Sequence, residues 1–127
     1  MLNKTVLIGR LTKDPDMRKT QSGRIVASFT LAVDRNFRDS NGERGVDFIP
    51  IVAWGKTAEL CGEYLQKGRQ TAVSGRIQIR SYEADDGSKR YVTEVIAEEV
   101  TFLGSKNDNN VSAQLNLVED DDEDLPF

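Results

Sequence analysis

The residues of this chain that could do chemistry are aromatic rings interleaved with cations. Phe37 lies between Arg35 and Arg38, Phe48 and Trp54 share a short stretch with Lys56 just beyond, and Arg76, Arg80 and Tyr82 alternate with smaller residues. A ring can stack on a nucleobase and a guanidinium can hold a phosphate, so this interleaving suits a single nucleic-acid strand. Each feature also has a plainer use: an exposed ring can pack under a loop, and single lysines and arginines are mostly solvated. Other chemistry is excluded. The chain has no histidine, which removes Ser-His-Asp and Cys-His catalysis, histidine general bases and His-containing zinc sites. Cys61 is the single cysteine, so there is neither an internal disulfide nor a CxxC pair, and a buried thiol is expected. The glycines form neither GxxxxGK[ST] nor GxGxxG. The expectation is a binding protein, with no enzyme activity, no cofactor and no metal.

These side chains need strands to position them. Thr5 to Leu11 is β-branched and apolar, and Asp14-Pro15 ends it. Arg24 to Arg35 alternates, with Ile25, Ala27, Phe29, Leu31 and Val33 on one face. Asn41-Gly42 signals a hairpin, which leaves Phe37 in the preceding loop, and a third strand runs from about Val46 to Trp54. In that strand Ile49, Ile51 and Ala53 make the core side. Phe48 and Trp54 then point outward, about 20 Å apart. Thr57 to Lys67 is the one good helix, with Thr57 as cap, Gly68 past its end, and Ala58, Leu60, Cys61, Tyr64 and Leu65 as its apolar stripe. Thr71 to Tyr82 and Arg90 to Leu103 are the last strands, joined at Asp86-Gly87. In the former, Val73, Ile77 and Ile79 are expected in the core, with Ser74, Arg76, Gln78, Arg80 and Tyr82 outward. Phe29, Tyr64 and Phe102 read as core or subunit contacts. Three strands, a short helix and two strands indicate an all-β fold: a five-stranded OB-fold barrel with its helix between strands three and four.

Charge and composition divide the chain at Gly104. The net charge is −4 over 127 residues, but residues 1–104 carry +2 and residues 105–127 carry −6. The expected domain is 1–104, followed by a disordered polar linker at 105–118 and an acidic tip at 119–127. Val111, Leu115 and Val118 have helical spacing, but the stretch is too short and polar for a stable helix. The tip ends Asp120-Asp121-Asp122-Glu123-Asp124-Leu125-Pro126-Phe127. Phe127 offers a ring and a terminal carboxylate together, and Pro126 limits the conformations lost on binding, which suits docking to a partner with a basic rim. No run is long and apolar enough for a membrane span, and Met1 to Thr5 lacks the apolar stretch of a secretion signal.

The chain resembles the bacterial single-stranded DNA-binding protein family. The resemblance is carried by NKTVLIGRLTKDP at residues 3–15, ASFTLAV at 27–33, AWGK at 53–56, AE at 58–59 and YLQKG at 64–68. VSGR at 73–76, RSY at 80–82, YVTEV at 91–95 and the acidic tip complete it. It implies an OB-fold and usually a homotetramer. It implies base stacking at Phe37, Phe48, Trp54 and Tyr82, and phosphate contacts at Lys4, Lys56, Lys67 and Arg80. Arg35, Arg38 and Arg76 join that set from their places beside the rings. Trp54 stands where the family often has phenylalanine, and Pro50 where some relatives have arginine. The implied function is sequence-independent binding of single-stranded DNA, protecting it in replication, recombination and repair, with the tip recruiting other proteins. The expected location is the cytoplasm, at the nucleoid. Two rivals remain open on the residues alone. A nuclease would need carboxylates in fixed geometry, and none is found on the strands. An RNA-binding OB module would share the stacking logic.

Overall fold

A computed structural model of the chain describes residues 1–103. The linker at 105–118, its helically spaced apolar residues and the tip at 119–127 lie outside the described residues. Six strands and one helix follow in order: β1 Thr5–Leu11, β2 Asp16–Lys19, β3 Ile25–Arg38, β4 Arg44–Trp54, α1 Gly55–Tyr64, β5 Gln70–Glu83 and β6 Lys89–Phe102. Five of the strands close into a barrel in the order β1-β5-β6-β4-β3, with β3 returning to β1 through Arg10↔Ala32 and Leu11↔Leu31. The β4–β6 contact is parallel and short, Ile51↔Val95 and Val52↔Ile96; the other strand pairs are antiparallel. The alternation expected of β3 and β4 holds. Ala27, Phe29, Leu31, Ile51 and Ala53 are buried together with Leu11, Val73 and Val95.

Two glycines make the closure possible. A methyl group at Gly9 would collide with the Ala32 carbonyl oxygen where β1 crosses β3. At Gly75 it would collide with the Ile96 carbonyl oxygen, where the β5–β6 register shifts. Close backbone approach, not turn geometry, requires glycine at both.

The structure corrects four expectations. β2 was not expected, because Asp16–Lys19 is exposed throughout and carries no periodic signal; it is an edge strand held by its ladder to Ile25–Ser28. β3 runs to Arg38, so Phe37 lies in a strand rather than a loop. The helix begins at Gly55 and ends at Tyr64. Thr57 therefore lies inside it, Trp54 takes the cap position without a side-chain bond, and Lys67 lies beyond its end. Ala58, Cys61 and Leu65 nevertheless fill the core as expected, while Tyr64 stays exposed and packs its ring 5.3 Å from that of Phe102.

The fourth correction concerns β5. Ile77 and Ile79 are 45% and 63% exposed, not core. Val95 and Ile96 stay in the barrel through their pairing with β4, and from Gln78↔Glu94 outward β5 and β6 leave it as a two-stranded arm; no layer of the described chain covers Ile77 and Ile79 on the face that continues from Val73. Asn3 braces the base of this arm, its side chain donating to the Ile77 carbonyl (2.8 Å) and accepting from the Ile77 N–H (2.9 Å). Gly87, at φ 83°, makes the turn at its tip.

Candidate nucleic-acid interface

The outward faces of three sheet regions meet around one open groove of about 590 Å³. β3 contributes Val26, Ser28 and Thr30, β4 contributes Pro50, Val52 and Trp54, and β5 and β6 contribute Gln78, Arg80, Val92, Glu94 and Ile96. Lys13, Asp14 and Asp16 close one side. Cross-strand pairing explains the assembly, since Val26↔Trp54, Ser28↔Val52, Thr30↔Pro50 and Arg80↔Val92 each present both members to the same side.

The structure brings only part of the expected ring set into this groove. Trp54 lines it. Phe48, on the same face of β4, stands outside it at 65% exposure, across from Ala32. Phe37 is 68% exposed, in the stretch of β3 where the ladder to β4 shifts. Tyr82 is 50% exposed, across from Arg90 towards the end of the arm and two residues past Arg80 on the same side. Three of the four rings are therefore exposed outside the groove, Phe37 and Phe48 on the neighbouring strands β3 and β4 and Tyr82 on β5. Phe29 is buried in the core, as its aliphatic neighbours indicate.

Most of the expected cations are already engaged. Lys4 and Arg76 share Glu98, at 3.3 and 3.5 Å. Arg35 meets Asp47 through Nε and Nη2, the shortest contact being 2.9 Å, and these hydrogen bonds hold the Asp47 carboxyl below its ordinary range while raising Arg35. Arg38 donates to the Gly42 carbonyl at 2.8 Å. Arg80 meets the buried Glu94 carboxylate at 3.1 Å inside the groove. Lys56 and Lys67 hold no ion pair among the described residues; the Lys67 backbone N–H donates to Asp14 at 2.8 Å. The exposed pairs to Glu98 and Asp47 contribute about 0–1 kcal/mol each, so a phosphate can replace those carboxylates.

The groove itself is not basic. Its charged lining is Lys13 and Arg80 against Asp14, Asp16 and Glu94. Bases fit such a floor better than phosphates do. Sequence reasoning missed Glu94 and Lys13, and it missed Arg24, whose guanidinium carbon lies 4.7 Å from the centroid of the Trp54 ring. Only the strand register places Arg24 near Trp54, because Trp54 pairs with Val26. Cys61 is buried as expected, and burial pushes its thiol up to about 11. Among the described residues no group of three His, Cys, Asp or Glu side chains is placed to hold a metal ion, and no helix is long and apolar enough to cross a membrane.

Residues 2–103 match the Single-strand binding protein family. The chain belongs to that family. Single-stranded DNA-binding protein 3 of Clostridium acetobutylicum is 59% identical over 114 residues, covering 87% of this chain and 78% of the relative. Single-stranded DNA-binding protein 2 of the same organism is 50% identical over 134 residues, 99% of this chain and all of the relative. Single-stranded DNA-binding protein 1 of Staphylococcus aureus is 53% identical over 115 residues, covering 91% and 74%. For a member of the single-strand binding protein family, an all-β barrel with a short helix between β4 and β5 is the expected architecture, and the chain has it.

Proposed function

We propose that the chain binds single-stranded DNA without regard to sequence, through the groove and the exposed rings around it. The observation that carries this is Trp54 in a groove beside Arg80, with Phe48, Phe37 and Tyr82 exposed around it, in a chain of the single-strand binding protein family. Bases stack on the four rings at about 1–3 kcal/mol each, and every base has a face to offer, so sequence matters little. Phosphates take Lys4, Arg35, Arg38, Lys56, Lys67, Arg76 and Arg80, displacing Glu98 and Asp47 where these hold the cation, while Arg80 keeps Glu94 on its Nε. Binding of this kind weakens as salt rises. Its use is to keep unpaired strands single and protected in replication, recombination and repair, in the cytoplasm at the nucleoid, without catalysis.

The test is a labelled-oligo(dT) titration beside poly(U), with a parallel incubation in Mg²⁺. The reading predicts saturable binding of oligo(dT), weaker competition by poly(U) and an intact strand. Cleavage of the strand would overturn it, and preference for poly(U) would favour an RNA-binding module.

Two extensions belong to the same reading. The chain assembles as a homotetramer, which gives a use to the exposed Val6 and Ile8 on β1 and to Ile77, Ile79 and Tyr91 on the arm. Sedimentation of the wild type and of a chain carrying Ile77→Ser with Ile79→Ser checks this, and a wild-type monomer would contradict it. The tip from Asp120 to Phe127 recruits replication, recombination and repair proteins. Deleting Phe127 is expected to abolish their capture while leaving oligo(dT) affinity equal or higher, and equal capture would contradict the role.

A further inference from the structure

We infer that Arg24 is a further DNA-binding residue, which covers the face of Trp54 in the free protein and passes to a phosphate when a base takes its place. The inference rests on the single-stranded DNA reading above. Arg24 sits 4.7 Å from the Trp54 ring centroid. A base held between guanidinium and indole would need about 7 Å, two van der Waals layers. Base and guanidinium therefore compete for that face. The backbone of Arg24 cannot move far: its N–H donates to Thr20 Oγ1 (3.1 Å), and its carbonyl accepts from the Thr20 N–H (2.8 Å). Its side chain is exposed and can pivot from that anchor.

Charge decides where it goes. Arg18 holds Asp16 and Arg80 holds Glu94, each at 3.1 Å, whereas Arg24 holds no carboxylate among the described residues. A cation already neutralised by a carboxylate has little counterion release left to contribute, while a cation lying on a ring keeps all of its charge. Asp14, which holds no cation among the described residues, also lies on the groove lining and repels a phosphate from the floor, so a backbone following bases into the groove needs a cation at this rim. Arg24 supplies it beside Trp54, the one ring of the four stacking candidates that lines the groove.

The experiment measures the affinity of the full chain for labelled oligo(dT) by anisotropy at 50 and 200 mM salt, for the wild type, Arg24→Ala and Arg24→Lys. Loss of one phosphate contact lowers the slope of log K against log salt by about 0.7. The wild-type advantage over Arg24→Ala should then be about 2.6-fold larger at 50 mM than at 200 mM. Arg24→Lys should keep the wild-type slope. In the free protein, Arg24→Ala should red-shift the Trp54 emission, since the ring loses its cover. An unchanged slope in Arg24→Ala beside a binding wild type overturns the inference alone, even if the emission shifts, because Arg24 would then be only a cover. A wild type that fails to bind at 50 mM overturns this inference together with the reading beneath it.

Discussion

β5 is a single continuous strand, yet it behaves as two different structures on either side of Gly75. On the barrel side Thr71 and Val73 are fully buried, and the Thr71 hydroxyl donates to the Thr101 carbonyl at 2.8 Å. Beyond it every β5 residue from Arg76 to Glu83 is exposed, Ile77, Ile79 and Tyr82 among them, although Val95 and Ile96 of the paired β6 stay buried against β4. Backbone pairing continues from Gly75↔Ala97 to Glu83↔Lys89, so hydrogen bonding does not distinguish the two regions. Burial does. The barrel side is stabilised by its own core, while the apolar surface of the arm is left uncovered by the described residues. The lesson is that one hydrophobic pattern can fill a core on one side of a bulge and stay exposed on the other.

Substitutions should separate the two sides. Gly75→Val, at the boundary, drives a side chain into the Ile96 backbone and should destabilise the chain by about 4 kcal/mol or more, read as loss of the cooperative urea transition. Leu31→Ala, wholly within the barrel, should cost about 3 kcal/mol of stability. Tyr82→Ala on the arm should move stability by less than about 0.5 kcal/mol while weakening oligo(dT) binding by about 1–3 kcal/mol. If Tyr82→Ala lowered stability as Leu31→Ala does, the division between the sides would fail.

The smallest effect sharpens the barrel side alone. Burial keeps the Cys61 thiol protonated to about 11, whereas the unfolded thiol ionises near about 8.5. The unfolded state therefore loses its proton first as pH rises. Cys61 contributes no pH dependence below the unfolded value, and stability falls as pH climbs from there toward the folded value. Between pH 8 and 10.5 the wild type should lose on the order of 1 kcal/mol more than Cys61→Ala, compared by urea midpoints. Equal losses would mean the thiol is not held in the core.

Faces were legible in the sequence, but register was not, and one feature explains both. Asp34 pairs with Val46 and Arg38 with Arg44, so residues 35–37 stand against the single residue 45. That irregularity displaces the pairing by two positions, an even number. Inward and outward sides survive it, which is why Ile51 is in the core and Trp54 faces out, as the alternation of the β4 residues indicates. Counting back from the Asn41-Gly42 turn, however, would set Trp54 against Ser28 instead of Val26, and Arg24 would not come near the ring. β2 was illegible for another reason: Asp-Met-Arg-Lys has no burial pattern, because its strand state comes only from its neighbour. Ile77 and Ile79 were misplaced because alternation reports that a face is apolar, not what covers it.

The central claim is that bases stack on Trp54 in the groove, and Trp54 is the chain's single tryptophan. Titrating the intact chain with oligo(dT) at low salt while following intrinsic tryptophan emission measures that contact alone. The account predicts saturable quenching that moves to higher DNA concentration as salt is raised. Full binding by anisotropy with no change in tryptophan emission would contradict it.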